Sequence, residues 1–109
     1  MEERESDITL HVKLDANNNP VHLSWTATEG DMEPRREIKA LMLHLWDLKE
    51  NNSMRIELWN QQFMVEEMRT FVFQALLSMA DTLDRSTGDH DAAADLRTFA
   101  QQLAEKLDL

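Results

Sequence analysis

The 109-residue chain has no cysteine, so neither a disulfide framework nor a thiolate metal site can form, an absence compatible with any compartment. It has only two glycines, too few for a loop whose backbone cradles phosphate. No segment approaches the roughly 18 continuous apolar residues that span a bilayer. Residues 1–7 are hydrophilic where a secretory signal needs an apolar core, so with Met1 as the natural start the chain is expected to be cytoplasmic. Positive charge is scarce as well. Eleven basic residues stand against 21 acidic ones, for a formal net charge of −10, and no window gathers lysine and arginine into a phosphate-neutralising patch. Nucleic acid and membrane insertion are therefore not expected. The acidity suits either a soluble surface or a basic protein partner.

What the chain does have is periodicity. In residues 64–85, Val65, Met68, Val72, Ala75, Leu76, Met79 and Leu83 recur at spacings of three and four, the signature of one helical face. Phe71, Phe73 and Leu77 widen that stripe, so the helix calls for apolar partners on more than one side. Gly88 can take the left-handed angle that ends it. Asp89 or Asp91 can cap a second helix, in which Ala92, Leu96, Phe99, Ala100, Leu103 and Leu107 repeat at helical spacing.

The first half alternates instead. Ile8, Leu10, Val12 and Leu14 point one way and Thr9, His11 and Lys13 the other, a half-buried strand. Residues 15–20 are turn formers, and Val21, Leu23 and Trp25 follow on one face of a second strand, which closes a hairpin. Residues 28–34, with Gly30 and Pro34, read as a loop. Residues 36–50 suit a helix or a strand. A local echo decides for strand: Leu43-His44-Leu45-Trp46-Asp47 and Ile56-Glu57-Leu58-Trp59-Asn60 flank the polar run 49–53, as two strands flank a turn.

With Leu45 opposite Ile56, parity places Leu41, Leu43, Leu45, Met54, Ile56 and Leu58 on the core face. Met42, His44, Trp46, Arg55, Glu57 and Trp59 then lie on the other. The expected fold is a single α+β domain over 1–109, a four-stranded antiparallel sheet of two hairpins with two C-terminal helices packed on one face. Its expected core is Leu10, Val12, Leu23, Leu43, Leu45, Ile56, Leu58, Val72, Leu76, Met79, Phe99 and Leu103.

Leu45-Trp46-Asp47, the run from Met54 to Trp59, Val65-Glu66-Glu67-Met68, Met79-Ala80-Asp81-Thr82-Leu83, Thr87-Gly88-Asp89 and Ala104-Glu105-Lys106-Leu107 together resemble the gliding-motility protein GldC family. The resemblance extends to Leu14-Asp15 and Leu23-Ser24-Trp25 and so covers nearly the whole chain. Family members place a proline before the valine that opens the long helix. Met64 stands there here, which forgoes a preset turn. The resemblance implies a small accessory protein of the gliding apparatus without a lipid anchor, with protein partners in the gliding and secretion machinery. It carries no catalytic or binding residue across.

Candidate chemistry is thin. His11 and His22 can approach across the first hairpin and His44 can sit opposite Glu57, but a metal needs three convergent ligands, and no metal site or cofactor is expected. Glu66 and Glu67 suit the positive end of a helix dipole. The carboxylates of Asp81 and Asp84 lack a cleft for acid and base work. Trp25 has core parity. Trp46 and Trp59, with Met42 beside them, form an apolar face turned from the helices, and with His44, Arg55 and Glu57 they make the candidate protein-interaction surface, a second copy being its first candidate partner. The alternative is that the sheet edges or a loop cover the indoles, or that Arg55 stacks on Trp46.

A non-catalytic interaction module is the favoured function. One rival is a peptide-holding secretion chaperone, since four strands followed by two helices on an acidic chain are similar in element order to SecB. Another is a small enzyme using Glu57, His44 and Asp47, which requires those groups to converge.

Overall fold

A computed structural model describes residues 2–28 and 35–109; the expected loop at 28–34, apart from Thr28, lies outside the described residues. The chain forms two compact units, Met1–Phe63 and Met64–Leu109. Among the described residues, the regular elements of the first are all strands and those of the second all helices.

In the β unit, β1 (Ile8–Leu14), β2 (Pro20–Ala27) and β3 (Arg36–Ile38) form one antiparallel sheet in that order, and β4 (Ala40–Asp47) and β5 (Asn52–Trp59) form another. The expected four-stranded sheet is thus replaced by sheets of three and two strands. Residues 36–47 are extended, as the echo indicates, but they serve both sheets. Up to Ile38 the chain pairs with β2, where Ile38 faces Leu23, and from Ala40 it pairs with β5. Lys39 is the bend between them, and its carbonyl accepts the Asn60 N–H at 2.9 Å. Pairing preference changes at a single residue, which alternation cannot reveal because both segments alternate.

Both hairpin turns use one device. Asp15 Oδ1 accepts the N–H groups of Asn17 (2.8 Å) and Asn19 (3.0 Å), and Asn18 takes a left-handed φ of 63°. At the second turn Asp47 Oδ2 accepts from Lys49 (3.0 Å) and Glu50 (2.7 Å), and Asn51 takes φ 50°. Asparagine tolerates these angles better than most side-chain-bearing residues, as the turn-forming composition suggested. The backbone donors of Asn19 and Asn17 hold the Asp15 carboxyl below its ordinary pKa of 3.8. A depressed folded value means that this interaction stabilises the fold above the ordinary value and is lost as pH falls through the folded one. Following the Asp15 carboxyl carbon by NMR during an acid titration should therefore give a midpoint below 3.8. A midpoint at or above that value would mean the turn is not closed in this way.

The echo has more content than two similar strands. Asn60 occupies the position in the second copy that Asp47 holds in the first, and its Oδ1 accepts the Gln62 N–H at 3.1 Å, as Asp47 accepts from Lys49. Each copy therefore ends in a side-chain-to-backbone turn two residues long. Asn60 is buried, and no buried side-chain nitrogen or oxygen among the described residues lacks a hydrogen-bond partner.

In the second unit, α1 (Val65–Thr87) and α2 (His90–Lys106) pack on each other. Met64 offers no side-chain oxygen, so the start of α1 relies on Glu67, whose carboxylate accepts the Met64 N–H at 3.1 Å. Gly88 ends the helix at φ 76°, donating its N–H to the Asp84 carbonyl. Asp89 holds the N-cap position of α2 without a side-chain cap bond. The Asp84 carboxylate instead contacts the His90 ring, and Arg97 lies 3.5 Å from it, so two α2 side chains share one α1 anion across the Gly88 turn. Asp81 pairs with Arg85 at 3.0 Å.

The expected core is corrected in both units. Of its twelve residues only Leu23 is buried, at 2% exposure; Leu43, Leu58, Val72, Leu76 and Leu103 are intermediate, and Leu10, Val12, Leu45, Ile56, Met79 and Phe99 are exposed. Among the helices the buried residues are all alanines: Ala80, Ala93, Ala100 and Ala104. Ala92, read as part of the α2 stripe, is exposed and Ala93 is buried in its place, while Ala100 of the same stripe is buried as expected. Small side chains let helical backbones approach closely, which leaves the large apolar residues flanking the contact instead of filling it.

Candidate functional site

The candidate surface is the β4–β5 hairpin. Its register pairs Ala40 with Trp59, Met42 with Glu57, Leu43 with Ile56, His44 with Arg55, Leu45 with Met54 and Trp46 with Ser53. Ile56 therefore faces Leu43 rather than Leu45, a slip of two residues that preserves parity. The two faces divide as expected: Leu41, Leu43, Leu45, Met54, Ile56 and Leu58 on one, and Met42, His44, Trp46, Arg55, Glu57 and Trp59 on the other.

Geometry separates the two indoles, however. Trp46 sits beside the turn and Trp59 opposite Ala40 at the far end, six residues away along the ladder, or roughly 20 Å. They are exposed by 71% and 55%, and they are two patches on one face with a charged strip between. That strip contains Arg55, whose Nε lies 3.2 Å from Glu57 Oε1, while His44 stands opposite Arg55 instead of Glu57. Arg55 is thus engaged along its own strand.

The turn end is apolar on both faces. Leu45 is 51% exposed on the side read as core, Met54 opposite it is also exposed, and Leu48 projects from the turn itself. Leu45 and Trp46, adjacent in sequence, necessarily point to opposite faces of the ribbon. Alternation identified these faces correctly but could not tell which would be covered. The signal for the turn cluster was Leu48, an apolar residue inside a polar turn.

Catalytic convergence is not found at the residues considered for it. His44 and Glu57 share a face, but Asp47 has the opposite parity and its carboxylate is engaged by the turn amides. Nor do the histidines gather. His11 pairs with Ser24 and His22 with Lys13, which makes the two rings diagonal neighbours beside an open cleft of about 870 Å³ that Glu37 also lines. Among the described residues no three histidine, aspartate or glutamate side chains form a metal-holding group. Among them, too, no helix is long and apolar enough to cross a membrane.

Nothing matches the chain among curated proteins or among solved structures. A family model does match it, over residues 20–109, from the first residue of β2 through both helices, leaving β1 outside. On that match, which spans most of its length, the chain belongs to the family of gliding motility-associated proteins that are GldC-like.

Proposed function

We propose that this protein is a cytoplasmic, non-catalytic accessory module of the gliding machinery, and that the β4–β5 hairpin is where it holds another protein. One observation carries the reading: a two-stranded ribbon has apolar side chains exposed on both faces at its turn, Trp46 and Leu45 foremost. A two-stranded ribbon is by itself marginally stable in water, and burying large apolar side chains from both of its faces against a protein surface adds a desolvation gain. Indoles are frequent anchors at such contacts. Met42, His44, Arg55, Glu57 and Trp59 would form the flanking surface, with the Arg55–Glu57 pair at its polar rim.

The chaperone reading rested on one four-stranded sheet, and the division into sheets of three and two removes that basis.

Trp46→Ser should leave the β-unit unfolding transition nearly unchanged while weakening chemical crosslinks to gliding-apparatus proteins and slowing the spreading of gliding cells. Trp59→Ser, at the distant patch, should do less. Unfolding of the Trp46 variant would assign that residue to the fold. A folded variant with unaltered crosslinks and spreading would remove the hairpin tip from the interaction surface.

A further inference from the structure

The outer edge of β1 carries a second surface, unconnected with the hairpin tip. β1 ends the strand order of its sheet, so one side of its backbone has no strand beside it among the described residues. Which groups face outward follows from the ladder. The Thr28 N–H donates to the Asp7 carbonyl at 3.0 Å, which makes that pair a hydrogen-bonded one in a register that continues Ile8 to Ala27, Leu10 to Trp25 and Val12 to Leu23. In antiparallel pairing the hydrogen-bonding direction alternates. Asp7, Thr9, His11 and Lys13 thus turn their main chain to β2, and Ile8, Leu10 and Val12 turn theirs outward.

Natural edge strands are blunted by proline, by clustered charge or by brevity. β1 has seven residues, no proline and one lysine, and Ile8, at 73% exposure, shares with Leu10 and Val12 an uncovered apolar row.

We propose that β1 pairs antiparallel with β1 of a second copy of this chain, centred on Leu10, to give a continuous six-stranded sheet across a two-fold axis. This register satisfies three conditions together. The residues that exchange hydrogen bonds, Leu10 with Leu10 and Ile8 with Val12, are those with outward main-chain groups, for about six new bonds. Their side chains fall on one face and join the two apolar rows. Asp7 of each copy comes opposite Lys13 of the other, in the non-hydrogen-bonded sites where side chains approach most closely. Shifting the centre to His11 would instead set Asp7 against Asp15. The bulge between Lys13 and Leu14 ends the ladder at the position where the charge pair closes it. A self-complementary strand of this kind selects a second copy over an unrelated peptide, because a two-fold axis repeats every favourable pair.

The absence of cysteine allows a direct test. Leu10→Cys places two thiols across the axis with Cα atoms about 5.5 Å apart, within disulfide range, and mild oxidation should crosslink it into a dimer. Lys13→Cys places them about 20 Å apart and should not crosslink. In sedimentation at tens of micromolar the unmodified chain should run at twice the monomer mass. Asp7→Lys or Lys13→Asp should each raise the dimer dissociation constant at least tenfold, and the two combined should restore it.

A monomeric parent chain, single reversals without effect, or equal crosslinking at positions 10 and 13 would each overturn the proposal. So would a dimer that ignores these changes and dissociates on Trp46→Ser, since the hairpin tip would then be the self-association surface.

Discussion

Leu23→Ala should cost the β unit about 2–5 kcal/mol, the usual range for a leucine removed from a closed core position. The expectation comes from where Leu23 sits. It lies in the central strand of the three-stranded sheet, between Val12 of β1 and Ile38 of β3, and among the described residues it is the large side chain that the fold buries most completely. Few other large side chains stand ready to collapse into the space, because Leu10 and Val12 on the same face are themselves exposed. All three tryptophans, Trp25, Trp46 and Trp59, belong to this unit, so their fluorescence during urea unfolding reports on it while helical circular dichroism reports on the other. With a urea dependence of about 1 kcal/mol per molar for so small a unit, the fluorescence midpoint should fall by about 2 M or more. Val12→Ala, at an exposed position in the same row, should cost less than half as much. Equal losses at the two sites would mean that the sheet is covered evenly and that Leu23 is not its centre.

Such a small core explains how far the sequence could be read. Strand and helix identity is local, and it was legible: Ile8 to Leu14 alternates, 64–85 repeats at helical spacing, and Gly88 stops α1 where the left-handed angle was expected. Parity was legible too, since Leu43, Leu45, Met54 and Ile56 share a face as read. Three things were not. The switch of residues 36–47 from β2 to β5 depends on a bend at Lys39 and on a hydrogen bond from Asn60, twenty-one positions later, and no local pattern encodes a partner at that distance. Burial was overestimated because alternation says which face is apolar and is silent about what lies on it; Leu45 and Ile56 kept their face and remain about half exposed. The candidate site suffered the same confusion in reverse. Shared parity groups Trp46 and Trp59, and the register sets them at opposite ends of one ribbon. Family resemblance supplied the biological setting that residue chemistry did not.

Ala100→Leu should destabilise the helical unit by about 1–3 kcal/mol, although leucine is nearly as good a helix former as alanine. The reason is room. Ala93, Ala100 and Ala104 are spaced seven and four apart and form one stripe on α2; the first two and Ala80 on α1 are fully enclosed, and the helices pack on each other. A leucine there adds three carbons, which must either push the helices apart or take a strained rotamer. The Asp84 contacts with His90 and Arg97 tie the two helices near the Gly88 turn, so opening at Ala100, ten residues beyond His90, would be resisted from that end. Ala94→Leu supplies the comparison, since Ala94 is exposed on the same helix and the same change there should stay within about 0.5 kcal/mol. Thermal unfolding followed at 222 nm would measure both. If the two variants melt together, the alanine stripe is not the contact line, and the half-exposed Met79 and Phe99 become the residues through which the helices must be held.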